Sequence, residues 1–362
     1  MDLPSSAYIH IPFCHSRCKY CAFYTTVNMK LEMGYLIALL KEIEVNYKNN
    51  PLDTLYFGGG TPSMLPFEHV KKIFNKFVLM ENAEVTFELN PEDVTEAYLS
   101  ELKKIGINRL SIGCQTFNPD ILKNIGRNHS VEMALSAIEL AKKLGFHNIS
   151  IDLIYGLANQ TLDLFEKDLN IVKDLGIQHV SLYGLKIEEN SVFGKFLPKN
   201  LPDSDLQADM YLLAIKILHN FQHYEISNFA LNEKFQSRHN LTYWANKEYY
   251  GFGCAASGYE NNIRYTNALN IHSYMENPLI KEFGHTNSKQ EQLEEEIFLG
   301  FRVSKGIDEL AINKKFDIDF SDRYKNILKK YIATGHIVKT QKGYALTDEG
   351  FLISTIILAE FI

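Results

Sequence analysis

The sequence has little cysteine and no excess of positive charge. Five cysteines in 362 residues are too few for a disulfide-rich secreted scaffold, which is usually small and dense in cysteine. The formal net charge is −7, so the basic surface that is typical of nucleic-acid-binding proteins is not expected. These two features argue against a secreted scaffold and against nucleic acid as a partner.

Long hydrophobic runs are also lacking. The opening residues MDLPSS contain no basic stretch followed by an apolar run, so no secretory signal is expected. The apolar segment 351–362 is too short to cross a bilayer and contains Glu360. We therefore expect a cytoplasmic protein without a transmembrane segment, in a compartment that keeps exposed thiols reduced. Peripheral contact with a membrane stays open.

Three of the five cysteines lie within eight residues. Cys14, Cys18 and Cys21 follow the spacing C-x3-C-x2-C in the stretch AYIHIPFCHSRCKYCAFYT, so a single loop directs three sulfurs toward a common point. Thiolates are soft ligands that suit iron–sulfur clusters and zinc. Three thiolates leave a four-coordinate site one ligand short, and an open position is what a catalytic or cofactor-binding metal requires.

Three interpretations compete for this loop. A disulfide framework fits poorly with the odd number of cysteines and the length of the chain. A structural zinc site usually pairs two C-x2-C units, and the remaining thiols, Cys114 and Cys254, have no partner at ligand spacing. The third interpretation is a [4Fe–4S] cluster with one iron left free. It is favoured because the spacing, after a short apolar strand, resembles the signature of the radical S-adenosylmethionine (SAM) family, in which SAM chelates the free iron.

Short apolar runs alternate with helical patterns over residues 7–185. Stretches such as 131–144 and 162–175 carry apolar residues at three- and four-residue spacing. The alternation predicts a parallel sheet with ligands at the carboxyl ends of the strands, here an α/β fold with a partial (β/α)6 TIM-like barrel open on one side. The predicted strands are 7–11, 54–57, 84–89, 109–112, 148–154 and 179–182.

The pattern changes beyond residue 185. A polar, proline-bearing segment at 186–203 is expected to leave the barrel as a loop, followed by a helix at 204–221. We divide the chain into a radical SAM barrel, a linking region and a C-terminal domain, with bounds 1–203, 204–285 and 286–362.

The C-terminal domain is predicted to be a small α+β unit. Helices at 290–301 and 323–334 precede a strand, a tight turn at Lys342 and Gly343, a second strand and a helix capped by Thr347. This order is typical of a winged helix. The acidic balance favours a packing module over a nucleic-acid-binding one.

A glycine-rich turn follows the second predicted strand. In Gly58-Gly59-Gly60-Thr61-Pro62 the glycines allow backbone N–H groups to approach a ligand closely. In radical SAM enzymes a turn at this place contacts the amino group of SAM, and GGGTP resembles the version found in coproporphyrinogen-oxidase-like members. That resemblance implies that Gly60 and Thr61 bind SAM.

Polar residues at the other strand ends extend the resemblance. Tyr8 and Tyr20 match positions that line the SAM site, while a carboxylate at Glu88 can accept hydrogen bonds from a ribose or an ammonium group. A guanidinium at Arg127 suits a carboxylate such as that of the methionyl group. Each residue alone could instead be a cap, a surface charge or a locally paired group. Together the matches assign a SAM site to Tyr8, Tyr20, Gly60, Thr61, Glu88, Gln115, Arg127 and Asp152.

The chain resembles the coproporphyrinogen III oxidase-like radical SAM proteins, and within them the HemW-type heme chaperones. The oxygen-independent dehydrogenases of this family carry a fourth cysteine, as C-x3-C-x2-C-x-C, whereas Phe23 stands at that place here. The segment HNLTYW at 239–244 matches the H-N-x-x-Y-W motif of the HemW group and holds the single tryptophan. His239 is thus a candidate heme ligand, with a buried structural histidine as the alternative.

Two segments depart from the family pattern. GLANQT at 156–161 stands where GLPGQT is usual, and GFGCAASG at 251–258 places Ser257 at the usual histidine. If that histidine helps to hold heme or substrate, this chain must do so differently, with Cys254 as one candidate.

Three functions are compatible with these residues. The favoured one is a heme chaperone that passes heme to an acceptor protein and carries a SAM-coordinated [4Fe–4S] cluster served by an electron donor. The second is a radical SAM enzyme that decarboxylates the propionates of coproporphyrinogen III or a related porphyrin. The third is an interaction protein with a purely structural cluster. No catalytic residue is assigned.

Overall fold

The computed structural model describes residues 3–362. Met1 and Asp2, which begin the segment examined for a secretory signal, lie outside the described residues. The strands are β1 (Ser6–Ile11), β2 (Leu52–Gly59), β3 (Leu79–Leu89), β4 (Arg109–Gln115), β5 (Ile149–Tyr155), β6 (His179–Gly184), β7 (Gln222–Glu225), β8 (Asn228–Ala230), β9 (Tyr250–Phe252), β10 (Ser257–Glu260), β11 (Ile263–Asn267), β12 (Lys281–Thr286), β13 (Ile307–Asp308), β14 (Ile337–Lys339) and β15 (Gly343–Leu346).

Helices connect these strands and cover the outside of the main sheet. The α-helices are α1 (Glu32–Asn46), α2 (Phe67–Phe74), α3 (Glu96–Ile105), α4 (Pro119–Ile125), α5 (Val131–Lys143), α6 (Leu162–Asp174), α7 (Val192–Lys195), α8 (Ser204–Ile217), α9 (Arg238–Trp244), α10 (Ile271–Glu276), α11 (Lys289–Gly300), α12 (Glu309–Phe316), α13 (Phe320–Arg323), α14 (Lys325–Ala333), α15 (Asp348–Leu352) and α16 (Ser354–Ala359). Single 3₁₀ turns occur at Met29–Leu31, Pro62–Met64, Pro91–Asp93 and Glu233–Phe235.

The main sheet confirms the predicted partial barrel. Its order is β7-β8-β6-β5-β4-β3-β2-β1-β9, and β1 to β6 are parallel neighbours in chain order. The sequence did not indicate the three remaining strands. β9 extends the sheet in parallel beyond β1, while β8 and β7 extend it in antiparallel order beyond β6. These strands are only three or four residues long, too short to produce a recognisable alternation of apolar residues.

Alternate residues of the parallel strands face opposite sides of the sheet. One set, including Ile9, Phe57, Phe87 and Ile112, is fully buried in the core between sheet and helices. The other set is polar and faces the inside of the barrel. Because the carboxyl ends of parallel strands meet at one edge, the polar residues there are brought together.

Helix boundaries follow local capping signals. The predicted helices at 131–144 and 162–175 are observed as α5 and α6, which begin where Ser130 and Thr161 accept backbone N–H bonds. The segment 186–203 contains the short helix α7 in addition to loop, because Ser191 caps a turn there. The helix predicted to reach residue 221 ends at Ile217, the last residue of α8.

The C-terminal region has a second hydrophobic core and a three-stranded sheet of order β13-β15-β14. The predicted hairpin is present, since β14 pairs with β15 in antiparallel order, and Thr347 caps α15 as expected. The helix predicted at 323–334 is observed as α14, which begins at Lys325, because the separate short helix α13 ends at Arg323. The predicted domain bounds at 203 and 285 stay predictions, and the middle region contributes β7, β8 and β9 to the barrel sheet.

Residues 3–362 form no helix of sufficient length and apolarity to span a membrane.

Candidate functional site

The cysteine loop begins directly after β1 and is closed at its base. The Cys14 N–H donates to the Thr26 carbonyl at 3.0 Å, and the Thr26 N–H donates to the Pro12 carbonyl at 2.7 Å. Within the loop the Cys21 N–H donates to the Cys18 carbonyl at 3.2 Å. All three thiols are free and partly buried. The backbone therefore fixes the loop while its sulfurs stay accessible.

Two other segments hold the loop over the mouth of the barrel. The Lys19 N–H donates to the Ile125 carbonyl at the end of α4 (3.0 Å), and the Phe193 N–H of α7 donates to the Lys19 carbonyl (2.9 Å). Asn190 Nδ2 donates to the Ala22 carbonyl at 3.1 Å. The segment around α7 thus covers the loop from the side that faces away from β1.

A cavity of about 510 Å³ lies between the loop and the carboxyl ends of the strands. The three cysteines line it together with most of the residues assigned to SAM from the sequence: Tyr20, Gly60, Thr61, Glu88, Gln115, Arg127 and Asp152. A pocket of this size with a few convergent polar groups is the usual form of a small-molecule site. Tyr8 and His239 are not among the lining residues.

The glycine turn packs directly against the cysteine loop. A Cβ at Gly60 would lie 2.8 Å from the Phe13 carbonyl oxygen and 2.9 Å from Cys14 Sγ, closer than real Cβ contacts. Thr61 Oγ1 lies 3.5 Å from Cys14 Sγ. Glycine is therefore required here because the backbone of the turn occupies the space next to the sulfur.

Glu88 is a buried carboxylate at the end of β3. Its Oε1 accepts a hydrogen bond from the Tyr56 hydroxyl at 2.7 Å, and its Oε2 accepts one from the Gly59 N–H at 3.2 Å. Burial raises the pKa of Glu88 to about 7, against the lowering effect of the Tyr56 bond. The group can thus hold or release a proton near neutral pH, and its ionised form would attract an ammonium group.

Arg127 links the cysteine loop to the strand ends. Its Nη1 lies 3.7 Å from Cys18 Sγ, and its Nη2 donates to Asn90 Oδ1 and to the Gly113 carbonyl, both at 2.7 Å. Its Nε is buried and has no partner within the described residues. A buried guanidinium with a remaining donor beside a thiol suits an anionic ligand, because both the sulfur and the ligand gain a counter-ion.

Asn90 was not predicted as a site residue from the sequence, although its side chain connects two residues that were predicted. Its Oδ1 accepts from Arg127, and its Nδ2 donates to Thr61 Oγ1 at 3.0 Å. The available signal was its place in ELNPE, two residues after Glu88. Single polar residues near strand ends are common, so the bridge is recognised only when both partners are located.

Asp152 and Gln115 complete the wall of the cavity. Asp152 Oδ1 accepts from Ser111 Oγ at 3.0 Å, and burial raises the pKa of this carboxyl. Gln115 has a φ of +67°, in the left-handed region that non-glycine residues rarely adopt. Such backbone strain is concentrated at functional sites, where the surrounding structure maintains it.

His239 lies behind this wall in a closed network. Its Nδ1 is 2.7 Å from Thr54 Oγ1, its Nε2 is 2.7 Å from the Tyr243 hydroxyl, and its ring stacks on Tyr56 at 4.9 Å between centroids. Burial lowers its pKa to about 3, so the imidazole is neutral. Both nitrogens are engaged and the residue is 1% exposed. This geometry favours the structural role over the predicted heme ligation, which would break one of these bonds.

Tyr8 is a neighbour of the same network. Its hydroxyl lies 3.1 Å from His10 Nδ1, and its ring packs beneath the glycine turn, where a Cβ at Gly58 would lie 3.0 Å from Tyr8 Cε2. Tyr8 thus supports the turn from below and does not line the cavity.

Comparison with known proteins identifies the family of this chain. Residues 8–172 match the model of the radical SAM superfamily, and residues 287–353 match that of the HemN C-terminal domain. The chain is 36% identical over 374 residues to heme chaperone HemW of Lactococcus lactis, covering 100% of this chain and 98% of the relative. It is also 36% identical to heme chaperone HemW of Bacillus subtilis, with 99% of both chains covered. The chain belongs to the HemW family of radical SAM proteins.

The fold is shared with a solved relative. Coproporphyrinogen III oxidase (HemN) from Escherichia coli superposes with a TM-score of 0.87 at 23% identity, covering 99% of this chain and 90% of that one. The resemblance inferred from the cysteine spacing and the fold class are confirmed. Membership in the radical SAM superfamily implies a [4Fe–4S] cluster and SAM as cofactors.

The residues at the cavity fit such a cluster. Three partly buried thiols stand beside the Gly60 backbone and the guanidinium of Arg127. Within residues 3–362, no three histidine, cysteine or acidic side chains converge on a point that would hold one metal ion. A cluster has a different requirement, because each cysteine binds its own iron. Burial raises the pKa of Cys14 to about 11, so cluster assembly must displace a proton from this thiol.

Proposed function

We propose that this protein is a heme chaperone, which binds heme and passes it to an acceptor protein. The observation that carries the proposal is the similarity to proteins named as heme chaperones along the whole chain, through both the barrel and the C-terminal region. The proposal also places the protein in the cytoplasm, with an electron donor for the cluster and without nucleic acid as a partner.

The cysteine loop would hold the cluster through Cys14, Cys18 and Cys21. When bound, the cluster and SAM supply one-electron chemistry. SAM would be held by the cavity residues, with Arg127 on its carboxylate and ionised Glu88 on its amino group. Gln115, Asp152, Thr61 and Tyr20 would form the remaining wall.

The chain's own residues would compensate the charges at this site and limit its contact with water. Arg127, already 3.7 Å from Cys18 Sγ, would offset the negative charge of a thiolate there. The cysteine loop lines the cavity and is held by the segment around α7, so it would limit the entry of water. The hydroxyl of Tyr56 donates to Glu88 and stabilises its ionised form.

Phe23 supports the chaperone role over the dehydrogenase role. It lines the cavity and is 68% exposed, at the position where the dehydrogenases carry a fourth cysteine. An exposed phenylalanine suits contact with an apolar ligand. The alternative, a radical SAM enzyme acting on coproporphyrinogen III, is supported by the complete set of polar residues in the cavity.

One anaerobic experiment separates the two functions. The reconstituted protein receives SAM and a reductant; decarboxylation of coproporphyrinogen III is assayed beside a heme titration followed by absorbance. We expect tight heme binding without turnover. Decarboxylation of coproporphyrinogen III in amounts equal to or larger than the amount of protein, without heme binding, would refute the chaperone role.

A variant pair tests the assignment of the cluster ligands. Cys18→Ser should abolish bound iron and sulfide, whereas Cys114→Ala, at a buried cysteine of the hydrophobic core, should retain both. Full iron and sulfide in Cys18→Ser would refute the assignment.

A further inference from the structure

His15 has the arrangement of a metal-ligating histidine. It lies in the cysteine loop, lines the cavity, and places its Nε2 2.6 Å from Asp93 Oδ1. Asp93 is itself fixed, because its Oδ2 accepts from Ser63 Oγ at 2.8 Å. A carboxylate partner places the proton of a neutral imidazole on Nε2 and leaves the lone pair on Nδ1, and metal-binding histidines generally donate their other ring N–H to such a partner.

The free nitrogen of His15 is available to a ligand. No hydrogen bond to Nδ1 is present within the described residues, and the side chain is 44% exposed. His10, at the end of β1, is buried with both ring nitrogens engaged, and His129 is buried with its Nε2 3.2 Å from the Cys114 carbonyl oxygen. Among the described residues, His15 is the histidine that lines the cavity beside the cysteine loop.

Exposed apolar side chains lie on two segments beside the cavity, and we call them the rim. They are Phe23, which lines the same cavity as His15, and Phe196 and Leu197 on the segment that follows α7, and they are 68%, 75% and 68% exposed, respectively. The two segments that carry them are joined, because Asn190 donates to the Ala22 carbonyl and its own carbonyl accepts from Arg17 Nη2 at 2.8 Å. Large apolar side chains exposed beside a cavity indicate a binding surface for an apolar partner.

Exposed basic side chains lie on the same two segments as the rim, in a protein that is acidic as a whole. Arg17 and Lys19 are exposed on the cysteine loop, and Lys195 and Lys199 are exposed on either side of Phe196 and Leu197. Exposed cations beside an apolar surface suit a ligand with an apolar body and carboxylate groups.

We propose that heme docks on this rim, with His15 Nδ1 as a ligand of the iron. The macrocycle packs on Phe23, Phe196 and Leu197, and the surrounding basic side chains pair with the propionates. This inference rests on the proposed heme-chaperone function and assigns its binding site. The iron–histidine bond forms without any change of oxidation state and displaces at most a weak ligand such as water.

A second cavity, of about 590 Å³, is the alternative place where heme could bind. It is lined by aromatic residues including Tyr243 and by His285, whose Nε2 lies 3.0 Å from Glu291 Oε1. Its lining contains three glutamates and two cationic side chains. One of the cations, Arg264, is already paired with Glu295 through two hydrogen bonds. The rim is favoured because its cations Lys19, Lys195 and Lys199 are exposed to a ligand, whereas Arg264 is paired with a glutamate.

The test is a heme titration of the full chain after anaerobic reconstitution, with iron and sulfide measured in each variant. His15→Ala and His285→Ala form a matched pair, because the two side chains are similarly exposed, at 44% and 47%, and each bonds a carboxylate. We expect His15→Ala to weaken heme binding by at least about tenfold and to shift the heme absorbance band, since it removes an iron ligand. His285→Ala should bind like the wild type.

Two further variants test the site without changing His15. Asp93→Asn should weaken heme binding about tenfold, because it removes the group that orients His15. Phe23→Ser should also weaken it, whereas Leu310→Ser, at a 78% exposed leucine of the C-terminal region, should not. If His15→Ala also loses the cluster, the heme affinities of these variants test the proposed binding site in its place.

Each outcome has a distinct meaning. Absence of heme binding in the wild type would refute the proposed function itself. Wild-type affinity in His15→Ala, Asp93→Asn and Phe23→Ser, or loss of heme in His285→Ala, would refute the rim while leaving the chaperone function intact. Loss of binding to phospholipid vesicles in Phe23→Ser with unchanged heme affinity would show that the rim contacts a membrane instead.

Discussion

Glu42 is a fully buried carboxylate whose charge is compensated by one lysine. It lies on α1 at 0% exposure and accepts hydrogen bonds from the Gly253 N–H (2.8 Å), Asn267 Nδ2 (2.8 Å) and the Tyr274 hydroxyl (2.6 Å). Lys281 Nζ lies 3.1 Å from its Oε1. These bonds tie α1 to the segment after β9 and thereby fix the sheet edge beside β1. We predict that Lys281→Met strongly destabilises the protein.

The magnitude follows from the burial of the two partners. Removing one member of a buried ion pair leaves an uncompensated charge and typically costs about 3–5 kcal/mol. The Lys281 side chain is 29% exposed, so solvent screens part of its charge and we expect a loss of about 3 kcal/mol in the free energy of unfolding. Glu42→Gln combined with Lys281→Met should recover much of this loss, because the amide needs no counter-ion.

Urea denaturation followed by circular dichroism measures these differences. Lys305→Met is the control, since Lys305 and Glu233 form an exposed pair at 2.8 Å and its loss should leave stability unchanged. Burial raises the pKa of Glu42, and removal of the lysine should raise it further. An acid with a raised folded-state pKa destabilises as pH rises, so the loss should be smaller at about pH 5 than at about pH 8. A loss equal to that of Lys305→Met would refute the reasoning.

Three other predictions concern the cavity and the residues behind it. SAM affinity, measured by calorimetry, should rise as pH rises through about 7, because Glu88 ionises there, and Glu88→Gln should flatten this dependence. His239→Ala should lower the free energy of unfolding by about 3 kcal/mol, since it leaves two buried hydroxyls unpaired, while heme affinity stays unchanged. Gly60→Ala should reduce reconstituted iron and sulfide, because its Cβ would lie 2.9 Å from Cys14 Sγ.

Each of these predictions has a clear contrary result. A pH dependence of SAM binding that persists in Glu88→Gln would assign the titration to another group. Loss of heme with unchanged stability in His239→Ala would restore this histidine as a heme ligand. Gly284→Ala is the control for the glycine turn, since nothing lies within 4 Å of its Cβ, and equal cluster content in both alanine variants would contradict the steric argument.

Local sequence was sufficient to predict the barrel strands and most of the cavity. Apolar runs of four or more residues specify buried parallel strands, and the carboxyl ends of such strands must meet at one edge. Glu88, Gln115 and Asp152 lie at or near such strand ends, and the resemblance to the radical SAM family assigned them, with Arg127, to one site; the structure brings all four to the same cavity. That they hold SAM stays a prediction.

The sequence by itself determined the family and the cysteine loop, because C-x3-C-x2-C and the strand-end residues are local patterns that any fold of this chain must keep. Only the tertiary structure decided that His239 is enclosed by Thr54 and Tyr243, residues 185 positions before it and four positions after it. It also decided that His15 is oriented by Asp93, 78 residues away. The protonated nitrogen of a histidine and its exposure depend on partners that are distant in sequence, so only the tertiary structure could favour a structural role for His239 and make His15 the candidate ligand.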